Sequence, residues 1–310
     1  MILATVAPAP EHRQQTDADA LLRRVELRVS RRLDGILQGE RRGRRPGPGG
    51  EPSITRRYEP GDDVRWIDWA LTARTRQATV RVPELEPVLT TWALIDRSPS
   101  MAFGTAVCMK RDLANETLAG LGVVLRRRGD RLAVAVTTSG GLDLMLPPRG
   151  DRRGLIAAIA AVDRISPVAD NRRTDLSAAI NALGRVARHR GAVVLISDFP
   201  PSAELEHAVG TLSRRHEVIA IELRDSREET MPDLGTVRLR DMETGARRLV
   251  DTADPRFRER FAQVAAERAA ERAGMLTRAG ARHVVLHTDQ DWVLPLARGL
   301  GHLPGGRAWA

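Results

Sequence analysis

The stretch Thr91-Trp92-Ala93-Leu94-Ile95-Asp96-Arg97-Ser98-Pro99-Ser100-Met101 decides the fold of this chain. Five residues suited to a buried strand run into an aspartate, and two serines follow at alternate positions, giving Asp-x-Ser-x-Ser. A strand that empties into a polar loop puts that loop at the carboxyl edge of a sheet, where open α/β folds place their ligand sites. Asp96, Ser98 and Ser100 offer only hard oxygen donors, a set suited to Mg²⁺ or Mn²⁺ and not to zinc. The same residue types are also common in turns and helix caps, so the pattern alone leaves both readings open. Oxygen donors at the ends of other strands would decide between them.

From Leu89 onward apolar strands alternate with amphipathic helices, the pattern of a mostly parallel sheet with helices on both faces. Strands are predicted over 90–96, 132–138, 192–197, 217–223 and 282–288. Helices are predicted over 107–128, 151–162, 175–189, 202–214 and 255–279, with a last one after Trp292. Segments 132–138 and 142–147, joined through Ser139-Gly140-Gly141, read as a hairpin, which makes one edge strand antiparallel. Residues 225–252 read as a small excursion of polar, strand-like pieces. The strand Ala192–Ser197 ends in Asp198, and Thr174 precedes the helix 175–189 as an N-cap or as a further hydroxyl at the same edge. With consecutive strands wound side by side, Asp96, Ser98, Ser100, Thr174 and Asp198 converge at one rim.

Upstream, residues 1–16 carry no periodicity, and Leu21, Leu22, Val25, Val29 and Leu33 mark a basic amphipathic helix over 18–38. The Arg, Pro and Gly run 41–50 ends it in a flexible basic loop. Residues 52–87 read as a small β-rich subdomain. Tyr58-Glu59-Pro60-Gly61 forms a turn, Asp62 or Asp63 caps a short helical stretch over 64–71, and 77–82 alternates as a strand. Tyr58, Trp66 and Trp69 are expected to form its core, with Arg65, Asp68 and Arg74 pairing around them. The organisation is therefore 1–50, an N-terminal helix and basic loop; 51–88, the small subdomain; and 89–302, the α/β domain.

Composition narrows the function classes. The chain has 310 residues, is 42% hydrophobic and contains one cysteine, Cys108, which excludes an internal disulfide and a cysteine-based metal site. No segment reaches the roughly 18 consecutive apolar residues of a membrane span, and the start lacks the pattern of a signal peptide, so a cytoplasmic protein is expected; a monomer is expected as well. The net charge of +9 is carried almost entirely by arginine, since Lys110 is the only lysine. Nucleic-acid binding through the basic segment 41–57 is one reading of that charge, but at 3% aromatics the chain has few stacking platforms, and no nucleic-acid partner is expected. A phosphohydrolase using Asp96 as nucleophile is another alternative; the aspartyl enzymes of haloacid-dehalogenase type place a second Asp where Ser98 stands. No nucleotide-binding P-loop is present. His283 and His287 have no third ligand and read as packing residues.

Asp96-x-Ser98-x-Ser100, then Thr174 at a helix start and Asp198 closing a central strand, resembles the metal-ion-dependent adhesion site of von Willebrand factor A domains. The segment Tyr58, Gly61, Asp62, Asp63, Arg65, Asp68, Trp69 and Arg74 resembles the signature of the "domain of unknown function 58" proteins, and His287-Thr288-Asp289-Gln290-Asp291-Trp292 is similar to that family's ending. The resemblance spans about residues 50–300. It implies a Rossmann-like A-type fold and a bound Mg²⁺ (or Mn²⁺). It also implies a protein partner that supplies an Asp or Glu to the metal, association with a MoxR-type AAA+ ATPase, and a binding role instead of an enzymatic one.

Overall fold

The computed structural model describes residues 3–4, 18–41, 53–83, 88–104, 107–138, 141–165, 175–240 and 246–301. In chain order the elements begin with β1 (Leu3–Ala4), α1 (Ala18–Arg41), β2 (Ser53–Arg57), α2 (Trp69–Thr75), β3 (Thr79–Pro83), β4 (Thr90–Asp96), α3 (Lys110–Arg128), β5 (Arg131–Thr137) and β6 (Leu144–Arg149). They continue with α4 (Arg152–Arg164), α5 (Leu176–Val186), β7 (Ala192–Ser197), α6 (Ala203–Ser213), β8 (Glu217–Arg224), α7 (Ser226–Glu229), β9 (Thr236–Arg240), β10 (Arg247–Asp251), α8 (Pro255–Arg278), β11 (Arg282–His287) and α9 (Val293–Leu300). The chain divides into two units, Met1–Arg32 with Val88–Ala310, and Leu33–Pro87.

The larger unit is built on a six-stranded sheet in the order β11-β8-β7-β4-β5-β6. Every pairing is parallel except β5 with β6, the antiparallel edge that the Gly-rich turn implied. Strands covered on both faces must be apolar throughout, and all six residues of β7 are buried. On one face Leu94, Val193, Leu195 and Val218 pack against Leu176, Ile180 and Leu183 of α5, Leu205 and Leu212 of α6 and Leu276 of α8. On the other face α3 lies between α4 and α9. It approaches α9 closely because Gly120 has no side chain: a Cβ there would stand 2.8 Å from Trp292 Cζ3. The first turns of α1 bury Leu21, Leu22, Val25 and Val29 in this unit, and Arg126 reaches Glu26 at 2.7 Å.

The sheet order fixes where a ligand can sit. From β4 the chain winds outward through β5 and β6, then returns to place β7, β8 and β11 on the other side. The carboxyl ends of β4 and β7 therefore flank the switch point at which an open α/β sheet opens a crevice. The excursion after β8 forms a separate sheet, β1-β9-β10, with a small core of Met231, Leu239, Phe257 and Phe261. Leu3–Ala4 join it by pairing with β9, in a segment whose sequence predicts no regular structure.

In the smaller unit β2 and β3 pair antiparallel. Asp63 caps a 3-10 turn over Val64–Trp66, and Asp68 caps α2 by accepting from Leu71 N at 3.0 Å. The expected aromatic core does not form: Trp66 is 50% exposed and Trp69 69%. Carboxylates hold the segment instead. Asp62 takes both terminal guanidinium nitrogens of Arg56, at 2.9 and 2.6 Å, together with Glu59 N; Asp63 takes Arg65 and Asp68 takes Arg81, so Arg65 and Asp68 form ion pairs as expected, but not around an aromatic core. Gly61 sits at φ +113°, a conformation that explains glycine in the turn.

Candidate metal-binding site

The site begins where β4 ends. The backbone of Arg97 still donates to Thr137 O of β5 at 2.8 Å, so the ladder holds the chain one residue past Asp96. The Arg97 side chain, only 4% exposed, turns away from the rim and donates to the carbonyls of Val162, Asp163 and Ile165 at the end of α4 and of Arg111 in α3. A fixed cation on a helix carboxyl end is favourable, and here it anchors the loop that carries the two serines. Asp96 Oδ1 accepts from Ser98 N at 2.8 Å, and its Oδ2 accepts from Ser197 Oγ at 2.6 Å. Both carboxylate oxygens are thus held by the neighbouring turn and by the end of β7.

Ser98 and Ser100 project toward one another and share a hydrogen bond, their hydroxyl oxygens 3.1 Å apart. Adjacent ligands of an octahedral ion at about 2.1 Å lie about 3 Å from each other, so the pair matches the edge of a Mg²⁺ or Mn²⁺ coordination shell. The electrostatics match too. Burial, and next the charge of Asp198, push the Asp96 carboxyl up to about 6, against the pull of its bonds to Ser197 and Ser98. A divalent cation would relieve that excess of negative charge. Among the described residues no group of three or more His, Cys, Asp or Glu is placed to hold an ion, so a metal here would depend on hydroxyls as well as carboxylates. Thr174 lies outside the described residues, as do 42–52 of the basic loop.

Asp198 follows β7, and the next residue, Phe199, is fully buried in the left-handed region at φ 47°. A non-glycine residue there costs about 1–3 kcal/mol; it bends the chain so that Asp198 stays at the rim while the Phe199 ring enters the core. Asp198 is not an isolated carboxylate. Lys110 Nζ donates to Asp198 Oδ2 at 3.0 Å and to Glu228 Oε1 at 2.8 Å. Burial alone would lower the Lys110 ammonium, but the charges of Asp198 and Glu228 outweigh it and hold it above the usual lysine range. Burial raises the Glu228 carboxyl, with Lys110 opposing. Neither Lys110 nor Glu228 was singled out as a site residue in the sequence; the one available signal was that Lys110 is the sole lysine.

A second ionic cluster lies on β8 and β11. Glu222 is fully buried and binds Arg224 at 2.6 and 2.8 Å, Arg272 at 2.6 Å and His283 at 2.7 Å. Burial acts to raise its carboxyl, but His283 and the two arginines prevail and bring it down to about 2. His287 Nε2 lies 3.2 Å from Glu229 Oε1, so each histidine hydrogen-bonds to a glutamate instead of serving only as packing. Cys108 is half-buried with its thiol toward Thr288 O; burial pushes it up to about 12, which makes it a poor nucleophile.

The model of the family described as "Protein of unknown function DUF58" matches residues 54–271, including both the capped turn around Gly61 and the Asp-x-Ser-x-Ser rim. The chain belongs to the DUF58 family. An uncharacterized protein of Mycobacterium tuberculosis is 40% identical to this DUF58 chain over 279 residues, which cover 90% of this chain and 87% of that one. Among solved structures, the conserved hypothetical protein BatB of Bacteroides thetaiotaomicron is 15% identical, with a TM-score of 0.46, covering 68% of this chain and 97% of its own. The SpRpn10 VWA domain is 12% identical, with a TM-score of 0.39, covering 71% and 97%. The larger unit of this DUF58 protein is an α/β fold built around a mostly parallel sheet. Among its described residues no helix is long and apolar enough to cross a membrane.

Proposed function

We propose that the protein is a metal-ion-dependent protein-binding module, with Mg²⁺ or Mn²⁺ held at Asp96, Ser98, Ser100 and Asp198, joined by Thr174. It works as a cytoplasmic monomer with a MoxR-type AAA+ ATPase in the assembly or maturation of client proteins. The observation that carries this reading is the pair of serine hydroxyls 3.1 Å apart beside a buried, strained-charge carboxylate at the sheet's switch point. When bound, the ion supplies Lewis acidity toward an oxygen ligand. Ser98 and Ser100 contribute neutral oxygens, Asp96 and Asp198 contribute charge, and Arg97 and Ser197 hold the loop and the carboxylate in place. Neutral ligands leave part of the ion's charge for an Asp or Glu of the partner. We read the family signature as structural at Asp62, Asp63 and Asp68, because each accepts a backbone hydrogen bond within its own turn.

A phosphohydrolase with Asp96 as nucleophile is less well supported. That carboxylate is 2% exposed and both its oxygens accept hydrogen bonds, one from the Ser98 amide and one from the Ser197 hydroxyl, which leaves little of it to attack a phosphorus atom. The test is a pull-down from the source cell's lysate in three arms: protein with Mg²⁺, protein with EDTA, and Asp96→Ala with Mg²⁺, with retained proteins identified by mass spectrometry. An AAA+ ATPase or a defined client retained in the first arm only is the expected result. The same partners in all three arms would remove the metal rim from the contact, and nucleic acid with its proteins would point to the basic loop.

A further inference from the structure

Lys110 has no exposed surface, and both carboxylates it binds stand at or next to the metal rim: Asp198 at the end of β7 and Glu228 in α7. Its ammonium also lies 5.9 Å from the centroid of the Phe103 ring, just beyond the serine loop. Fixed cations of this kind are costly to bury and demand partners. Every other basic side chain described at this rim is an arginine held elsewhere, as Arg97 is on the carbonyls of α4. The position therefore uses a compact point charge inside the fold instead of the planar, more weakly hydrated guanidinium that the chain uses everywhere else.

The charges suggest what Lys110 does. Asp96, Asp198 and Glu228 together carry three negative charges when ionised, and Lys110 carries one positive. The set is thus short of neutrality by two, the charge of one divalent ion. Without Lys110 the same carboxylates would over-neutralise a bound ion, and a carboxylate approaching from outside would meet a net negative rim. With Lys110 the ion's charge is not exceeded, and an incoming carboxylate is tolerated. We propose that Lys110 keeps the carboxylates around the metal from exceeding the ion's charge, weakening the hold on the free ion and strengthening the hold of the bound ion on an acidic ligand. The inference rests on the metal-binding reading above and adds to it the residue that sets how ion affinity and acidic-ligand affinity trade against each other.

Mn²⁺ binding measured by electron paramagnetic resonance and calorimetry tests this, with acetate as the carboxylate probe. Four proteins are compared: wild type, Lys110→Met, Glu228→Gln and the double variant. A unit charge removed from a partly dry site a few ångströms from the ion is worth at least about tenfold in affinity. Lys110→Met should bind Mn²⁺ at least about tenfold more tightly and acetate on the Mn²⁺ form more weakly. Glu228→Gln should do the reverse, because Lys110 then acts on Asp198 alone. The double variant, with both charges gone, should return close to wild type, which a packing defect would not do. If Lys110→Met fails to fold, the weaker Mn²⁺ binding of Glu228→Gln carries the test. Mn²⁺ binding by wild type that neither single variant alters overturns the role of Lys110 and leaves the metal site standing. Absence of Mn²⁺ binding in every protein with Asp96 intact overturns both.

Discussion

Replacing Asp96 with Asn should make the metal-free protein more stable while removing its affinity for the ion. The substitution keeps the shape: Oδ1 can still accept from Ser98 N, and the new amide can donate to Ser197 Oγ, which now donates to the carboxylate. What changes is the charge. The Asp96 carboxyl stands at about 6 in the folded protein against an ordinary 3.8. A carboxyl raised in this way contributes stability that is complete below 3.8 and is lost as the pH rises through about 6. At pH 7 the loss is fully incurred and amounts to about 3 kcal/mol at most. In EDTA at pH 7, Asp96→Asn should therefore unfold at a higher urea concentration than wild type, and melt several degrees higher. Lowering the pH to 5 should recover roughly 1 kcal/mol for wild type relative to the variant. Added Mg²⁺ should stabilise wild type and leave the variant unmoved. A variant that is less stable than wild type by 1 kcal/mol or more in EDTA, or a gap between the two that does not change from pH 7 to pH 5, would refute the electrostatic account of this carboxylate.

The Glu222 cluster should behave in the opposite sense. Its carboxyl is brought from 4.5 down to about 2, so its contribution is present above 4.5 and fades as the pH falls toward 2. Glu222→Gln is expected to cost about 3 kcal/mol in urea unfolding at pH 7, and less below pH 4; a cost under 1 kcal/mol at pH 7 would mean that Arg224, Arg272 and His283 do not act on it together. Cys108, whose thiol is pushed up to about 12, should resist a thiol reagent at pH 8 in the native protein and react fully in denaturant. Rapid labelling of the native protein would contradict the burial seen at Thr288.

Much of the larger unit was legible because its information is local. Each central strand is a short, nearly continuous apolar run, and each helix repeats its apolar residues at the spacing of one face. The Gly-rich turn after Thr138 identified the one antiparallel edge. The small subdomain was read less well. Tyr58, Trp66 and Trp69 were assigned to a core on hydrophobicity alone, yet the two tryptophans are exposed, and the segment is organised by Asp62, Asp63 and Asp68 acting as caps and ion-pair acceptors. Burial depends on what covers a residue, and a run of about fifty residues has little interior to offer.

By itself the sequence determined that Asp96, Ser98 and Ser100 leave one strand together and that Asp198 leaves another, because strand ends and their following loops are written in consecutive residues. Tertiary structure alone decided what surrounds those carboxylates. Lys110 reaches Asp198 across 88 positions and Glu228 across 118, and Ser197 reaches Asp96 across 101. No periodicity or spacing encodes such pairs: they follow from the winding order of the sheet, which places β7 against β4, and from the cost of burying a charge, which forces each buried ammonium and carboxylate to find a partner wherever the fold brings one near.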